Sequence, residues 1–469
     1  MKCINVCGLL FLFLAGCKAV GPDYQPPTLP EPTANLPQTV EGVALVPSEV
    51  AAWWTAFDDP LLTNQIARTL AGNRSLRGAV AKVREARARL RISHAGLLPQ
   101  VDANGAYRRF RNSDNTGQPY DGSDYQAGFD ASWELDLMGR QRRAIEAAQA
   151  SFEAECATLE NVWVSLAAET ARAYVQLRTV RQRLNVAQTN LTLQAQTLEI
   201  LQSRAAAGLS DGLAVEQARY NMERTRSAIP SLESEEEADL NALAVLTGVL
   251  PGELSSELAA PAPIPAAAPR MLAGIPADLL RRRPDVRAAE RTLAAQTARI
   301  GEAKADLYPT LKLNGSVGLE TLHADSLNDW SSRYLSLGPS VSWPVFHAGS
   351  IRANIEVQSA LQEQALAAYE QSVLLAMAEL RDALSSYGRE HARHDSLAKA
   401  ARAARAAVII SQDRYTHGIA DFNSVLDAQR SLQTFEEAVV VSEGAITENL
   451  IRVYKALGGG WSPLMPPTE

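Results

Sequence analysis

Side chains able to do chemistry are sparse in this chain, and their spacing argues against catalysis. His391 and His394 stand three residues apart, a separation that could hold a metal ion if both lie on one helix, but no cluster of cysteine and carboxylate ligands accompanies them. We therefore assign no metal site and no bound cofactor. The cysteines are Cys3, Cys7, Cys17 and Cys156, with neither zinc-site spacing nor a disulfide framework. Arg281-Arg282-Arg283-Pro284-Asp285 invites an anion-site reading. Its plainer reading is a helix start, with Pro284 in the first turn, Asp285 favouring the N-terminus and the arginines pairing with acids. There is no nucleophile elbow, phosphate loop or zinc-hydrolase motif, so the chain is not read as an enzyme.

The remaining charged residues of interest sit beside turns, and the elements around those turns are unusual. From Arg140 to about Ala207 there is neither Pro nor Gly. Within this stretch a seam recurs at alternating spacings of four and three: Phe152, Cys156, Leu159, Trp163, Leu166, Thr170, Ala173, Leu177, Val180, Leu184, Ala187, Leu191, Gln194, Leu198, Leu201, Ala205. That is the period of a left-handed coiled coil, and a helix of this length reaches roughly 100 Å. Gly208 can end the helix, Ser210 or Asp211 can cap the next, and a return helix follows from about Leu213 to Leu246, with a kink expected at Pro230.

Upstream, the period changes to two. In Asp124 to Leu135, Tyr125, Ala127, Phe129, Ala131, Trp133 and Leu135 alternate with polar or small residues. A soluble half-buried strand gives the same pattern. Its partner, about Gln100 to Arg111, alternates less well. Strands of roughly ten residues match tilted crossings of an outer membrane.

The chain then repeats itself. Gly105 corresponds to Gly315, Pro99 to Pro309, Trp133 to Trp343, Gly139 to Gly349, Arg204 to Arg414, Gly208 to Gly418, Asp211 to Asp421 and Gly248 to Gly458, every pair at the same offset with no gap. The expected organisation is a first repeat over 58–250, a linker over 251–270, a second repeat over 271–458 and a tail over 459–469. The β-hairpins fall at about 100–135 and 311–345, the helical hairpins at about 140–247 and 350–457. Four candidate membrane strands cannot close a barrel, so chains must share one. Two chains would supply eight strands and three would supply twelve. Ala and Gln at many seam positions suit a wide tube better than a tight bundle, which favours three.

Charge and composition agree. A formal net charge of −8 argues against a nucleic-acid partner, and 46% hydrophobic with 6% aromatic residues is a helical composition. Past residue 16 no run approaches the roughly 18 apolar residues of a helical span. Residues 1–16 read as a signal peptide, and Leu14-Ala15-Gly16-Cys17 resembles a bacterial lipobox. That resemblance implies cleavage before Cys17 and acylation of Cys17. The Pro-rich remainder of 17–57 would then be a lipid-anchored extended segment.

Taken together, the chain resembles the TolC-like outer-membrane efflux family and its lipid-anchored NodT branch. The resemblance rests on the lipobox, Val20-Gly21-Pro22-Asp23-Tyr24, Trp53-Trp54, Ile275 to Val286, Trp343-Pro344-Val345-Phe346, Val425 to Arg430 and Leu457 to Trp461. It implies a mainly α fold with a membrane β-barrel: a homotrimeric twelve-stranded β-barrel continued by a twelve-helix periplasmic α-barrel, two internal repeats per chain. It implies the passive exit duct of a tripartite efflux pump, localised to the cell outer membrane, with a periplasmic adaptor and an inner-membrane transporter as partners. The expected cargo is drugs or other small toxic compounds. A duct for heavy metals or protein, and a structural coiled coil without a pore, are the alternatives.

The resemblance also carries residue roles. Adaptor-contacting tips would be Arg204, Gly208, Leu209 and Leu213 in one turn and Arg414, Gly418, Ile419 and Phe422 in the other. A channel gate would involve Asp427, with Ser424, Asp421 and Tyr415 nearby. In a trimer each inward residue becomes a ring of three, and carboxylate rings attract cations.

Overall fold

The computed structural model describes residues 19–27, 51–116, 121–266 and 282–460. The signal peptide, Cys17, most of the anchored segment, the end of the linker, the stretch from Ile275 to Arg281 and Trp461 lie outside the described residues.

Seven α-helices and four strands are described. They run in the order α1 (Pro60–Gly72), α2 (Arg74–Ala95), β1 (Gln100–Arg111), β2 (Asp121–Leu135), α3 (Arg140–Ala206) and α4 (Gly212–Thr247). The order then recurs as α5 (Pro284–Ala305), β3 (Thr310–Thr321), β4 (Arg333–Ser342), α6 (Ser350–Thr416) and α7 (Phe422–Ala456). From β1 to β3 and from α3 to α6, the starting residues are displaced by one and the same offset, that of the sequence repeat. Both long helices span 67 residues. Among the described residues no helix is long and apolar enough to cross a membrane.

Local chemistry accounts for the boundaries. The Asp59 carboxylate accepts from the Leu61 and Leu62 amides and starts α1, with Pro60 in the first turn. Asn73 accepts from Ser75 and Leu76 and separates α1 from α2. Pro284 begins α5, and the Asp285 carboxylate lies in its first turn. The helix α4 runs unbroken through Pro230; an expected kink there does not divide it. None of the α3 seam residues is exposed, which is what a 3.5-residue apolar repeat on a packed helix requires.

The chain forms two compact units. The first (Met1–Thr28, Ala81–Ala157, Arg287–Gln371) holds the sheet. Its strands pair antiparallel in the order β1-β2-β3-β4. Odd-numbered residues face odd-numbered residues throughout: Ala103 opposite Phe129, Phe129 opposite Val317, Val317 opposite Leu335. Directly opposed residues share a face. One face therefore carries Val101, Tyr107, Phe129, Val317, Leu335 and Leu337, all exposed. The other carries Asp102, Asn104, Asp130, Lys312, Asn314 and Ser340. The weaker alternation of β1 is compensated by this register. Two tryptophans close the sheet at its base, Trp133 donating to the Leu97 carbonyl at 2.9 Å and Trp343 to the Leu307 carbonyl at 3.1 Å.

The second unit (Leu29–Val80, Thr158–Val286, Ser372–Glu469) is helical. Trp53 stacks on Tyr454 with ring centroids 5.4 Å apart. The buried Arg178 guanidinium donates to the Tyr174 hydroxyl and to the Ala260 carbonyl, each at 2.9 Å, and Tyr174 donates to the Asp59 carboxylate at 3.0 Å. An otherwise costly buried cation is thus paired through a chain of hydrogen bonds.

Candidate gate and docking tips

The two hairpin turns belong to the second unit and use one construction. After α3, the Leu209 amide donates to the Arg204 carbonyl at 2.8 Å, and Gly208 takes φ +73°. After α6, the Ile419 amide donates to the Arg414 carbonyl at 2.8 Å, and Gly418 takes φ +74°. A left-handed residue after a helix end is the role glycine fills without steric cost. Asp211 then caps α4 by accepting from the Leu213 amide at 3.0 Å, and Asp421 caps α7 by accepting from the Ser424 amide at 3.2 Å.

Leu209, Leu213 and Ile419 project from these turns as exposed aliphatic side chains. Phe422 differs. It is 6% exposed and lies in a core cluster with Leu198, Leu201, Met222, Val425 and Leu426. Its ring therefore holds the two hairpins together rather than offering itself to a partner. Tyr415 packs edge-on against Phe422 with centroids 5.2 Å apart, and the Arg204 guanidinium lies 5.1 Å over the Tyr415 ring. Arg204, Tyr415 and Phe422, drawn from both hairpins, so form one layered contact.

Of the four residues singled out for a gate, Tyr415 lies in that layered contact, and the other three differ from one another. The Asp421 carboxylate is occupied by its cap and by the Ser424 hydroxyl, which donates to it at 2.9 Å. Ser424 is therefore committed to the start of α7. Asp427 has a side chain 76% exposed, with the Arg430 guanidinium 3.3 Å away one turn on. Arg430 also donates to the Asn221 amide oxygen at 3.4 Å, which fixes its direction. Sequence reasoning quoted Arg430 without giving it a role; the spacing of three from Asp427 on a helix is the signal that could have found it.

Beside the tips, α3, α6 and α7 enclose a cleft of about 440 Å³ lined by Gln194, Thr197, Arg204, Gln412, Tyr415 and Gln429. Among the described residues, Asn190 Nδ2, Gln194 Oε1 and Arg204 Nε face no hydrogen-bond partner. His391 stacks edge-on with Tyr387 at 4.6 Å, and the His394 Nε2 is 3.7 Å from Glu443. Among the described residues no group of three or more potential ligands is placed to hold a metal.

Comparison with known proteins places this geometry. The family model described as outer membrane efflux protein matches residues 66–249 and 275–459. The chain is 31% identical over 458 residues to a solvent efflux pump outer membrane protein, SrpC, of Pseudomonas putida, covering 96% of this chain and 97% of that protein. It is 31% identical over 453 residues to the cation efflux system protein CusC of Escherichia coli O6:H1, covering 96% and 97%. Among solved structures, that of the outer-membrane channel OprN superposes with a TM-score of 0.87 at 36% identity, covering 95% of this chain and all of that one.

Proposed function

The chain belongs to the outer membrane efflux protein family, and from that premise we propose that it is the outer-membrane exit duct of a tripartite efflux pump. It conducts passively: an inner-membrane transporter supplies the energy and a periplasmic adaptor joins the two. The observation that carries the reading is the sheet. Among the described residues it has four strands, one face rich in exposed apolar side chains, and two edges, β1 and β4, that pair with no further strand. Open edges are not tolerated in lipid, and four strands are too few to close on themselves. Three copies sharing one barrel satisfy both constraints and turn the polar face inward, toward water. The recurrence of elements at one constant offset supports a duplicated unit contributing twice to each wall.

In this reading the helical hairpins form the periplasmic tunnel and the turns its far end. Leu209, Leu213 and Ile419 contact the adaptor, with Arg204, Gly208, Arg414 and Gly418 setting the turn shape. Asp427 forms the gate ring, since its carboxylate is less committed than that of Asp421; Asp421 and Ser424 build the helix start beside it. Acylation of Cys17 anchors the chain to outer-membrane lipid. The cargo follows the transporter: a solvent pump and a cation system stand at equal identity among the relatives.

Conductance in planar bilayers tests this. Purified protein is expected to form cation-preferring channels, and Asp427→Ala to raise the current or weaken the preference. Protein that inserts without conducting would reject the duct. Unchanged current and selectivity in the variant would reject the gate assignment alone.

A further inference from the structure

The cleft beside the tips is built within one copy of the chain, from α3 of the first helical hairpin and α6 and α7 of the second. At about 440 Å³ it has the size of a small-molecule site. On its α3 wall, Asn190 Nδ2, Gln194 Oε1 and Arg204 Nε have no hydrogen-bond partner among the described residues. Gln194 is only 6% exposed. A buried polar group left without a partner is costly, and native structures keep few of them. Three such atoms along one wall of one cleft call for a common partner.

Their chemistry specifies that partner. Arg204 Nε and Asn190 Nδ2 donate, and Gln194 Oε1 accepts. Arg204 is the one charged residue in the lining, no carboxylate accompanies it there, and its guanidinium lies 5.1 Å over the Tyr415 ring. Asn190 and Gln194 stand one turn apart on the same helix face. Gln194 and Arg204 are separated by about 15 Å of helix rise, which the reach of the arginine side chain shortens. Ile200, Val408 and Leu432 supply apolar lining. We infer that the cleft binds an elongated anionic amide: its carboxylate is taken by Arg204, its amide end offers an N–H to Gln194 Oε1 and an oxygen to Asn190 Nδ2, and an apolar spacer separates the two. Because the walls come from both hairpins, such an occupant stabilises their present arrangement over any that separates them. The site needs one copy only, so it stands apart from the shared-barrel reading.

Titration calorimetry on the intact protein in non-ionic detergent tests this with 6-benzamidohexanoate, its methyl ester, and the analogue carrying an ester oxygen in place of the amide N–H. Wild-type protein is expected to bind the parent acid at least tenfold more tightly than either analogue, since a site built to hydrogen-bond a group rejects the molecule that lacks it. Arg204→Gln should abolish the preference over the methyl ester and spare the preference over the oxygen analogue. Gln194→Leu should do the reverse. Arg204→Lys, which keeps the charge, should retain part of the preference for the acid. Each variant is its own reference across the compounds, so a loss of stability does not imitate these patterns. Either preference surviving its own variant would overturn the site. No binding of the parent acid at millimolar concentration, by protein whose mass is that of the assembled oligomer, would overturn it too and leave the duct reading untouched.

Discussion

The Arg143 guanidinium donates to the Asp23 carboxylate at 2.7 Å, tying the first turn of α3 to a segment 120 residues earlier. The Arg143 side chain is only 5% exposed and also reaches Glu146 at 2.6 Å and the Val20 carbonyl at 3.1 Å. Beside it two backbones touch: a side-chain carbon added to Gly21 would lie 2.3 Å from the Gly301 Cα. Val20 to Tyr24 is thus a strap built into the first unit, with Tyr24 donating to Glu290 at 3.1 Å.

Removing the strap's seat should release it. Gly301→Val sets a side-chain carbon 2.7 Å from the Val20 carbonyl oxygen, and Arg143→Ala deletes several hydrogen bonds at once. Because Asp23 is itself well exposed, each change should cost about 1–3 kcal/mol. Limited proteolysis should cut the N-terminal segment sooner in both variants, and thermal melting in detergent should fall. Wild-type cleavage rates would show that the strap is incidental.

Arg283 performs a similar task in the second unit. Its side chain, nearly buried, forks onto Asp285 at 3.1 and 2.7 Å, reaches Glu379 at 2.7 Å and donates to the Ala456 carbonyl at 2.9 Å. Burial pushes the Asp285 carboxyl up, but the hydrogen bonds and charge of Arg283 outweigh it and hold Asp285 below the ordinary carboxylate range. A carboxyl lowered in the folded state gives stability above its unfolded pKa, and that stability is lost as pH falls through the folded one. Arg283→Ala should cost about 1–3 kcal/mol by leaving the half-buried Asp285 carboxylate and the Ala456 carbonyl without their donor. Asp285→Asn should flatten the acid limb of the melting curve below about pH 4. A melting temperature unchanged by Arg283→Ala would contradict this account.

Particular residues show how far sequence reading reached. The seam from Phe152 to Ala205 announced α3 because one long apolar repeat leaves no other way to hide it. The turns were legible because Gly208 and Gly418 need left-handed backbone and Asp211 and Asp421 need a helix to cap. The burial of Phe422, named as a docking tip, was not legible: a residue beside an exposed turn carries no mark of the core cluster that receives it, since its neighbours Leu198 and Met222 belong to the other repeat. The Arg143 strap was equally hidden. Val20 to Tyr24 stood out as a motif, but its partners Gly301 and Glu290 come from the other half of the chain and are joined to it only by the fold.

The tips offer a functional prediction. Leu209 and Ile419 are exposed aliphatic side chains at equivalent positions of the two turns, packing on nothing that the second unit requires. Leu209→Asp together with Ile419→Asp should leave melting within about 0.5 kcal/mol of wild type, as surface changes do. Recovery of the periplasmic adaptor with the duct should fall at least tenfold, a loss of about 1.4 kcal/mol or more. Normal recovery of adaptor would move the docking surface away from the turns.

Asp239 supplies the last test, and its sign is opposite to that of Asp285. It lies on α4 at 9% exposure, with Oδ2 facing no partner among the described residues. Burial raises its carboxyl from 3.8 to about 6, and the nearby Glu235 and Glu448 add to the rise. Arg172 lies 3.7 Å from Glu448 and screens that neighbour only partly. Between pH 3.8 and 6 the folded chain holds the Asp239 proton more firmly than the unfolded chain does. Stability must therefore fall as pH rises across that window, and the ionised carboxylate is a standing cost at neutral pH. Asp239→Asn keeps the shape and removes the charge. It should raise stability at pH 7 by on the order of 1 kcal/mol and abolish this part of the pH slope, as read by melting in detergent from pH 4 to 7. A variant that melts lower than wild type at pH 7 would mean that the carboxylate is charged and satisfied, with a partner supplied by the assembled protein.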